Sequence, residues 1–218
     1  MCNAGINWVH PGLTVDGYER IFGTNHLGHA LLIKLLLPNL LDTANEPGSD
    51  VRVISLSSSG HRQAPKEGII FKDLKTTQSH VKFYMRYGQS KLANILYARS
   101  LARKYPTIKI VSVHPGVVDS NIHSNEVLRD SISWRIFWWN YTCVAKIQTL
   151  LTGSGWETPE VGAKTQLWAA TGKKDEVVSG TYYAPVGVMG RDSKMSKDEK
   201  LMEELWEWTE AQLEKFCR

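Results

Sequence analysis

The feature that most narrows what this chain can fold into is an apolar, β-branched run that stops abruptly, a helix-length stretch, and a second such run. The three segments are VRVISLSSSG (51–60), YMRYGQSKLANILYARSLARKY (84–105) and IKIVSVHPG (108–116). The two runs read as strands buried on both faces, the first passing through a serine run into a loop, the second stopped by Pro115 and Gly116. Strands buried on both faces belong to parallel sheets, and consecutive parallel strands need a crossover, which the helical stretch between them supplies. The pattern therefore predicts an α/β fold whose parallel sheet is covered by helices on both faces, with right-handed crossovers.

The flanking segments continue the alternation. MCNAGINWVHPG opens the chain, and its Asn3-Ala4-Gly5 corner reads as the end of an element, because Gly turns where other residues cannot and Asn tolerates unusual dihedrals. DGYERIFGTNHLGHALLIKLLLPNLLDTA predicts one long helix, with Asp16 as its N-cap and Pro38 ending or kinking it. A helix starting near Pro159, a short strand GTYYAP and an amphipathic helix KDEKLMEELWEWTEAQLEKF complete the pass. Neither an internal repeat nor a linker interrupts it, so residues 1–218 are read as one domain.

Composition excludes several classes. With 42% apolar and 22% charged residues, the chain is neither disordered nor collagen-like. Its net charge of +4 is scattered rather than gathered into a face, which gives no support to nucleic-acid binding. Three cysteines, Cys2, Cys143 and Cys217, have no metal-binding spacing and fit reduced thiols in the cytoplasm. His26 and His29 share a helix face without a carboxylate or cysteine partner, so packing or solvation is expected there and no metal. No apolar run is uninterrupted for long enough to predict a transmembrane segment. The aromatic stretch SWRIFWWNYTCVAKIQTLL, with Trp134, Phe137, Trp138 and Trp139, admits three readings: a lid over a lipophilic substrate, a packing or oligomer surface, and peripheral membrane contact.

The chemistry concentrates in Tyr87-Gly88-Gln89-Ser90-Lys91. One helical turn separates a phenol from an ammonium on the same face, and a nearby cation favours the phenolate. Ser57 and Ser58 stand at the carboxyl end of a predicted parallel strand, the edge at which open α/β sheets bind ligands. A Tyr-x-x-x-Lys spacing alone is common by chance. A nucleophilic serine at 57–59 is set aside because the G-x-S-x-G elbow is absent.

The ordered combination is more specific. Asn-Ala-Gly, a helix with Asn25, a strand ending in Ser-Ser, Tyr-x-x-x-Lys and a strand ending in Pro-Gly follow one another as in the short-chain dehydrogenases/reductases. The sequence most resembles their retinol dehydrogenase-like and WW-domain-oxidoreductase-like branch, especially its fungal members, over essentially the full length, including GTNHLGHALLIKLLLP, HPGVV and TPEVGAKTQLW. The resemblance implies a Rossmann-like three-layer fold and an oxidoreductase that interconverts an alcohol and a carbonyl on a lipophilic or aromatic small molecule. By the same resemblance Tyr87 is the general acid/base and Lys91 lowers its pKa while binding the nicotinamide ribose. Ser58 holds the substrate carbonyl, and Asn25 organises a proton path to Lys91. Asn3, Ala4 and Gly5 lie beside the adenosine-ribose side of the cofactor, and Pro115, Gly116, Val118 and Ser120 around its nicotinamide. Branch resemblance points to NADP(H) over NAD, and to pairing of two copies through the helices that carry Asn25 and Tyr87.

One part of the family pattern is missing: the strand, TGxxxGxG turn and helix N-terminus that receive the pyrophosphate. By comparison with the family, MCNAG is the tail of the fourth strand. The chain thus reads as N-terminally truncated, with an unpaired edge and uncovered apolar surface. The alternative function is a catalytically silent remnant that acts only through interactions.

Overall fold

The computed structural model describes residues 1–118, 139 and 157–216. The β-branched runs form β1 (Arg52–Leu56) and β2 (Lys109–Val113), paired in parallel from Arg52↔Lys109 to Leu56↔Val113. Helix α2 (Phe83–Lys104) connects them. Strand β3 (Tyr182–Ala184) extends the sheet in parallel beside β2 through Ser112↔Tyr182 and Val113↔Tyr183. A two-residue strand β4 (Val188–Met189), absent from the expected pattern, closes the order β1-β2-β3-β4 in antiparallel fashion. Two residues carry too little periodicity for a sequence to announce a strand.

Three layers result, because alternate residues of each strand face opposite ways. Val53 and Ile110 point to the face covered by α1 (Arg20–Ala44), α2 and α4 (Glu199–Leu213), where Phe22, Leu92, Leu96, Leu101 and Leu205 form the larger core. Ile54, Leu56, Val111 and Val113 point to the other face, covered by α3 (Pro159–Thr171) through Ala169 and Trp168. Thr158 caps α3 by accepting from the Val161 N–H, with Pro159 at the first helical position as its fixed φ favours.

Helix α1 departs from expectation in two ways. Its N-cap is Glu19, whose Oε2 accepts from the Phe22 N–H at 2.7 Å, rather than Asp16, which sits in the preceding turn. Glu19 is fixed in that place by Arg86, whose Nη1 lies 3.0 Å from Glu19 Oε1 with both side chains buried. Pro38 lies inside the helix, which runs on to Ala44; Pro38 is exposed, so solvent can satisfy the carbonyl it leaves unbonded. By length and composition α1 would suffice to cross a bilayer. Its first turns nevertheless belong to the core, and Leu32, Leu35 and Leu36 stand exposed on its outer side.

The opening residues do join the sheet. Cys2 bridges Ser55 in parallel, donating its N–H to Ile54 O at 2.7 Å and accepting from the Leu56 N–H at 3.0 Å. Asn3-Ala4-Gly5 therefore emerges at the carboxyl edge of the sheet, level with the end of β1.

Candidate active site

Five chain segments meet at that carboxyl edge around a cleft of about 1040 Å³. Asn3, Ala4 and Gly5 line one side, Ser57 to Gly60 follow β1, Tyr87 and Lys91 come from α2, Pro115 to Val118 follow β2, and α3 turns one side to it. Of the residues singled out in the sequence, the structure gathers Asn3, Ala4, Gly5, Ser58, Tyr87, Lys91, Pro115, Gly116 and Val118 into this one cleft. Asn25 stands behind it, and Ser120 lies outside the described residues, as do Trp134, Phe137 and Trp138.

The strand-end geometry arises locally. Ser57 Oγ donates to Lys91 O at 2.7 Å, tying the end of β1 to α2. Ser58 stays extended (φ −158°) and caps the 3-10 turn Ser59–Gln63, its Oγ accepting from the Gly60 N–H at 3.1 Å. Its side chain also lies near enough to the Tyr87 phenol to favour the charged form of that group. A hydroxyl and a phenol thus share one point of the cleft, on two different elements.

Lys91 is 3% exposed and donates from Nζ to Leu56 O at 3.2 Å, a carbonyl that also accepts from Asn94 Nδ2 at 2.9 Å. The Nζ lies 5.6 Å from the centroid of the Tyr87 ring. Burial pulls the Lys91 ammonium down to about 8. Burial likewise pushes Tyr87 up to about 12, opposed only by the nearby Ser58 side chain. The expected lowering of the phenol by Lys91 is therefore outweighed by desolvation, and one of the three ammonium N–H donors goes to a backbone carbonyl.

Asn25 is buried within a π turn, Gly23–Leu27, inside α1. Gly23, the first residue of that turn, packs closely against Thr14: a Cβ there would fall 2.7 Å from Thr14 Cγ2. Asn25 Oδ1 accepts from the Ile6 N–H at 2.8 Å, and Nδ2 donates to Ile6 O at 3.0 Å and to Ser90 Oγ at 3.1 Å. This clamps the segment after Gly5 onto α1 and α2. The reason for Gly5 is close approach rather than dihedral freedom, as its φ is not in the left-handed region. A Cβ on Gly5 would stand 3.2 Å from Asn25 Oδ1 and 3.5 Å from Lys91 Nζ. Across the cleft Gly116 does take a positive φ, +97°.

The histidines of α1 pack, as their surroundings require. His26 uses both ring nitrogens, on Asn94 Oδ1 (3.3 Å) and Thr209 Oγ1 (3.0 Å), and burial pulls it down to about 3. His29 Nδ1 meets Asn25 O at 3.1 Å.

Several cleft residues carried no sequence signal. Trp8 holds a left-handed φ of +57°, and its ring lies 4.2 Å from that of Phe83, giving an aromatic wall that Tyr84 extends. The backbone behind it is held by Arg86, whose Nη2 donates to Val9 O at 3.1 Å. His114 lines the opposite side and is pulled down to about 4, chiefly by burial and further by His61, Arg62 and Arg191, so it is neutral at pH 7. From α3, Pro159, Gly162, Ala163 and Gln166 recur at helical spacing on the cleft-facing side, and Gly162 leaves the room Val118 occupies. That i, i+3, i+4, i+7 spacing was readable, whereas Trp8 follows Gly5 without any pattern.

The polar floor and small-residue walls fit the nicotinamide-ribose half of a dinucleotide: Gly5 and Gly116 permit close approach, and Lys91 and Tyr87 offer donors beneath. The sequence contains no Gly-rich turn for the pyrophosphate.

No family model matches the chain. It is 34% identical to the short-chain dehydrogenase/reductase drtF of Aspergillus calidoustus, over 98% of this chain and 67% of that protein. It is also 34% identical to retinol dehydrogenase 12 of Mus musculus, over 94% of this chain and 57% of the relative. The chain thus spans about three fifths to two thirds of the curated relatives it matches. Among solved structures, an uncharacterized protein from Mycobacterium paratuberculosis superposes with a TM-score of 0.66 at 28% identity, covering 98% of this chain and 65% of that one. Sequence order, cleft geometry and these likenesses agree, and the chain belongs to the short-chain dehydrogenase/reductase family.

Proposed function

We propose that this chain carries the catalytic half of an NAD(P)(H)-dependent oxidoreductase that interconverts an alcohol and a carbonyl, with NADP(H) as the cofactor and a lipophilic or aromatic small molecule as the substrate. The observation that supports this reading most is that Ser58, Tyr87 and Lys91, brought from the end of β1 and from α2, line one cleft, with the Ser58 side chain near enough to the phenol to lower its pKa. Two O–H donors converging from separate elements can hold one carbonyl oxygen, and stabilise the charge that grows on it as the carbon is reduced. Tyr87, raised to about 12, is protonated at neutral pH and is a proton donor in the reducing direction. Its protonated form is the one needed there, so burial and chemistry agree.

Lys91, lowered to about 8, changes charge close to physiological pH and can return a proton to the phenol. Asn25 fixes the Ile6 backbone and with it the neighbouring Gly5, where an added Cβ would come within 3.5 Å of Lys91 Nζ. When bound, the nicotinamide supplies the hydride. Pro115 to Val118 would lie around it and Asn3 to Gly5 beside the adenosine-ribose side of the cofactor, while Trp8, Phe83 and Tyr84 give a flat apolar substrate a surface to lie on.

The test is a fluorescence titration of the purified chain with NADPH, together with turnover of aromatic aldehydes and ketones. Saturable binding is expected. Tyr87→Phe should lower kcat by about three orders of magnitude while leaving the NADPH Kd within about twofold. Absence of binding, or a Tyr87→Phe variant that turns over like the parent, would overturn the proposal and favour a silent interaction protein.

A further inference from the structure

We infer that His61 is a positioning residue that holds the Ser58 hydroxyl in register with the Tyr87 phenol. The inference rests on reading Ser58 and Tyr87 as the pair that handles the carbonyl oxygen.

A serine hydroxyl has three staggered positions and too little bulk to choose among them by packing. At Ser58 the choice is made by the turn that follows it. The Ser58 carbonyl accepts from the His61 backbone N–H at 3.1 Å and again from the His61 ring at Nδ1, 2.6 Å away. A carbonyl only accepts, so Nδ1 carries the ring proton and Nε2 is bare. The peptide plane of Ser58 is thereby fixed from two directions, and its Oγ accepts from the Gly60 N–H on the side where the Tyr87 ring packs: a Cβ on Gly60 would lie 3.4 Å from Ser58 Oγ and 3.1 Å from Tyr87 Cε1.

The ring itself cannot swing. His61 is 1% exposed and stands edge-on to Tyr182 of β3, with centroids 5.2 Å apart at 67°. Its Nε2 is buried without a hydrogen-bond partner in the protein. A position needing only bulk would be better filled by leucine, which brings no polar atom to desolvate. What the imidazole adds over leucine is the bond to Ser58.

Movement here would reach the phenol directly. A Cβ on Gly60 would lie 3.1 Å from Tyr87 Cε1, and one on Gly88, the residue after Tyr87, would lie 2.9 Å or less from Gly60 O, Gln63 C and Ala64 N. The turn and the catalytic helix are thus in backbone contact. Around the ring, Arg62 and Arg99 disfavour a charge on His61 and Asp192 favours one, with His114 nearby. Burial is the largest influence and lowers its pKa, so the neutral Nδ1–H tautomer persists at neutral pH. Around Tyr87 stand Ser58, Lys91 and Tyr182.

Two substitutions separate positioning from filling. His61→Leu keeps the volume and loses the donor, whereas His61→Asn loses the ring and can place an amide N–H where Nδ1 stood. In the enzyme assay His61→Leu should lower kcat about 10- to 100-fold, the effect of a misplacement near 1 Å, with substrate KM and NADPH Kd within about twofold. His61→Asn should recover most of the loss. A second readout does not need turnover: at fixed pH, the tyrosine 13Cζ resonance assigned to Tyr87 by its loss in Tyr87→Phe should shift in His61→Leu and return in His61→Asn. 15N spectra of the parent should show Nδ1 protonated. Parent turnover with an unchanged His61→Leu variant, an unmoved Tyr87 resonance, or an Nε2–H tautomer would each overturn the inference. A parent without turnover would instead sink the oxidoreductase reading, and the resonances would still decide the role of His61.

Discussion

A buried ammonium is the clearest single-residue statement in this molecule. Lys91 has been drawn from its ordinary 10.5 to about 8 by desolvation, so the folded state carries the cost of a strained charge at every pH below about 8. The sign follows from linkage: the cost is fully present below about 8, is relieved as pH rises from about 8 to about 10.5, and is gone above that. Lys91→Met should therefore stabilise the fold at pH 7 by about 1–3 kcal/mol, net of the lost bond to Leu56 O, while abolishing turnover. Urea midpoints at pH 7 and pH 10 check this, and a gain that does not shrink at the higher pH would contradict it. Spacing in the sequence was enough to place Tyr87 and Lys91 together. It could not weigh their electrostatics, because whether a cation lowers a phenol depends on how deeply both are buried and where the cation spends its hydrogen bonds. Nor could it find Trp8, whose place in the cleft depends on a left-handed φ and a ring contact with Phe83.

Among the elements, α2 shows why some parts were readable and others not. Its helical periodicity and the β-branched runs on either side of it state their structure locally, and β1, α2 and β2 stand where the sequence put them. The α1 cap was misplaced because Glu19 is chosen by a buried ion pair with Arg86, 67 residues away, a partnership that local capping preferences do not include. Gly88 held a signal that passed unread. Glycine within a helix costs about 1 kcal/mol relative to alanine, and here that cost accompanies backbone contact with the Ser59–Gln63 turn. Gly88→Ala gains propensity and loses that contact. The clash should prevail, destabilising the fold by about 1–3 kcal/mol and reducing kcat by more than about tenfold, as read by denaturation at constant m-value and by steady-state rates. A neutral or stabilised variant would mean that the turn yields without consequence.

Across the whole molecule, the buried histidines set how it meets acid. His26 at about 3, His114 at about 4 and the lowered His61 stay neutral in the fold, whereas unfolded histidines take up protons near 6.5. Groups depressed in this way favour the fold above about 6.5 and cease to do so as pH falls below it. Between pH 7.5 and 5.5 His26 and His114 alone should lower stability by about 3 kcal/mol, two protons being bound on unfolding, and the lowered His61 and His29 act in the same direction. The raised pKa of Glu19 works in the opposite sense at lower pH. Urea denaturation at the two pH values measures the difference, and a fall under about 1 kcal/mol would show that the fold accepts these rings charged. The parallel bridge between Val118 and Glu157, reinforced by the Glu157 N–H on Val117 O at 2.7 Å, bears on how such a domain can diversify. With those two positions tied at the rim of the cleft, the chain between them enters and leaves through one fixed gateway. The entropic cost of holding those two ends together grows only logarithmically with the number of residues between them, so the bridge tolerates changes in that number at small cost.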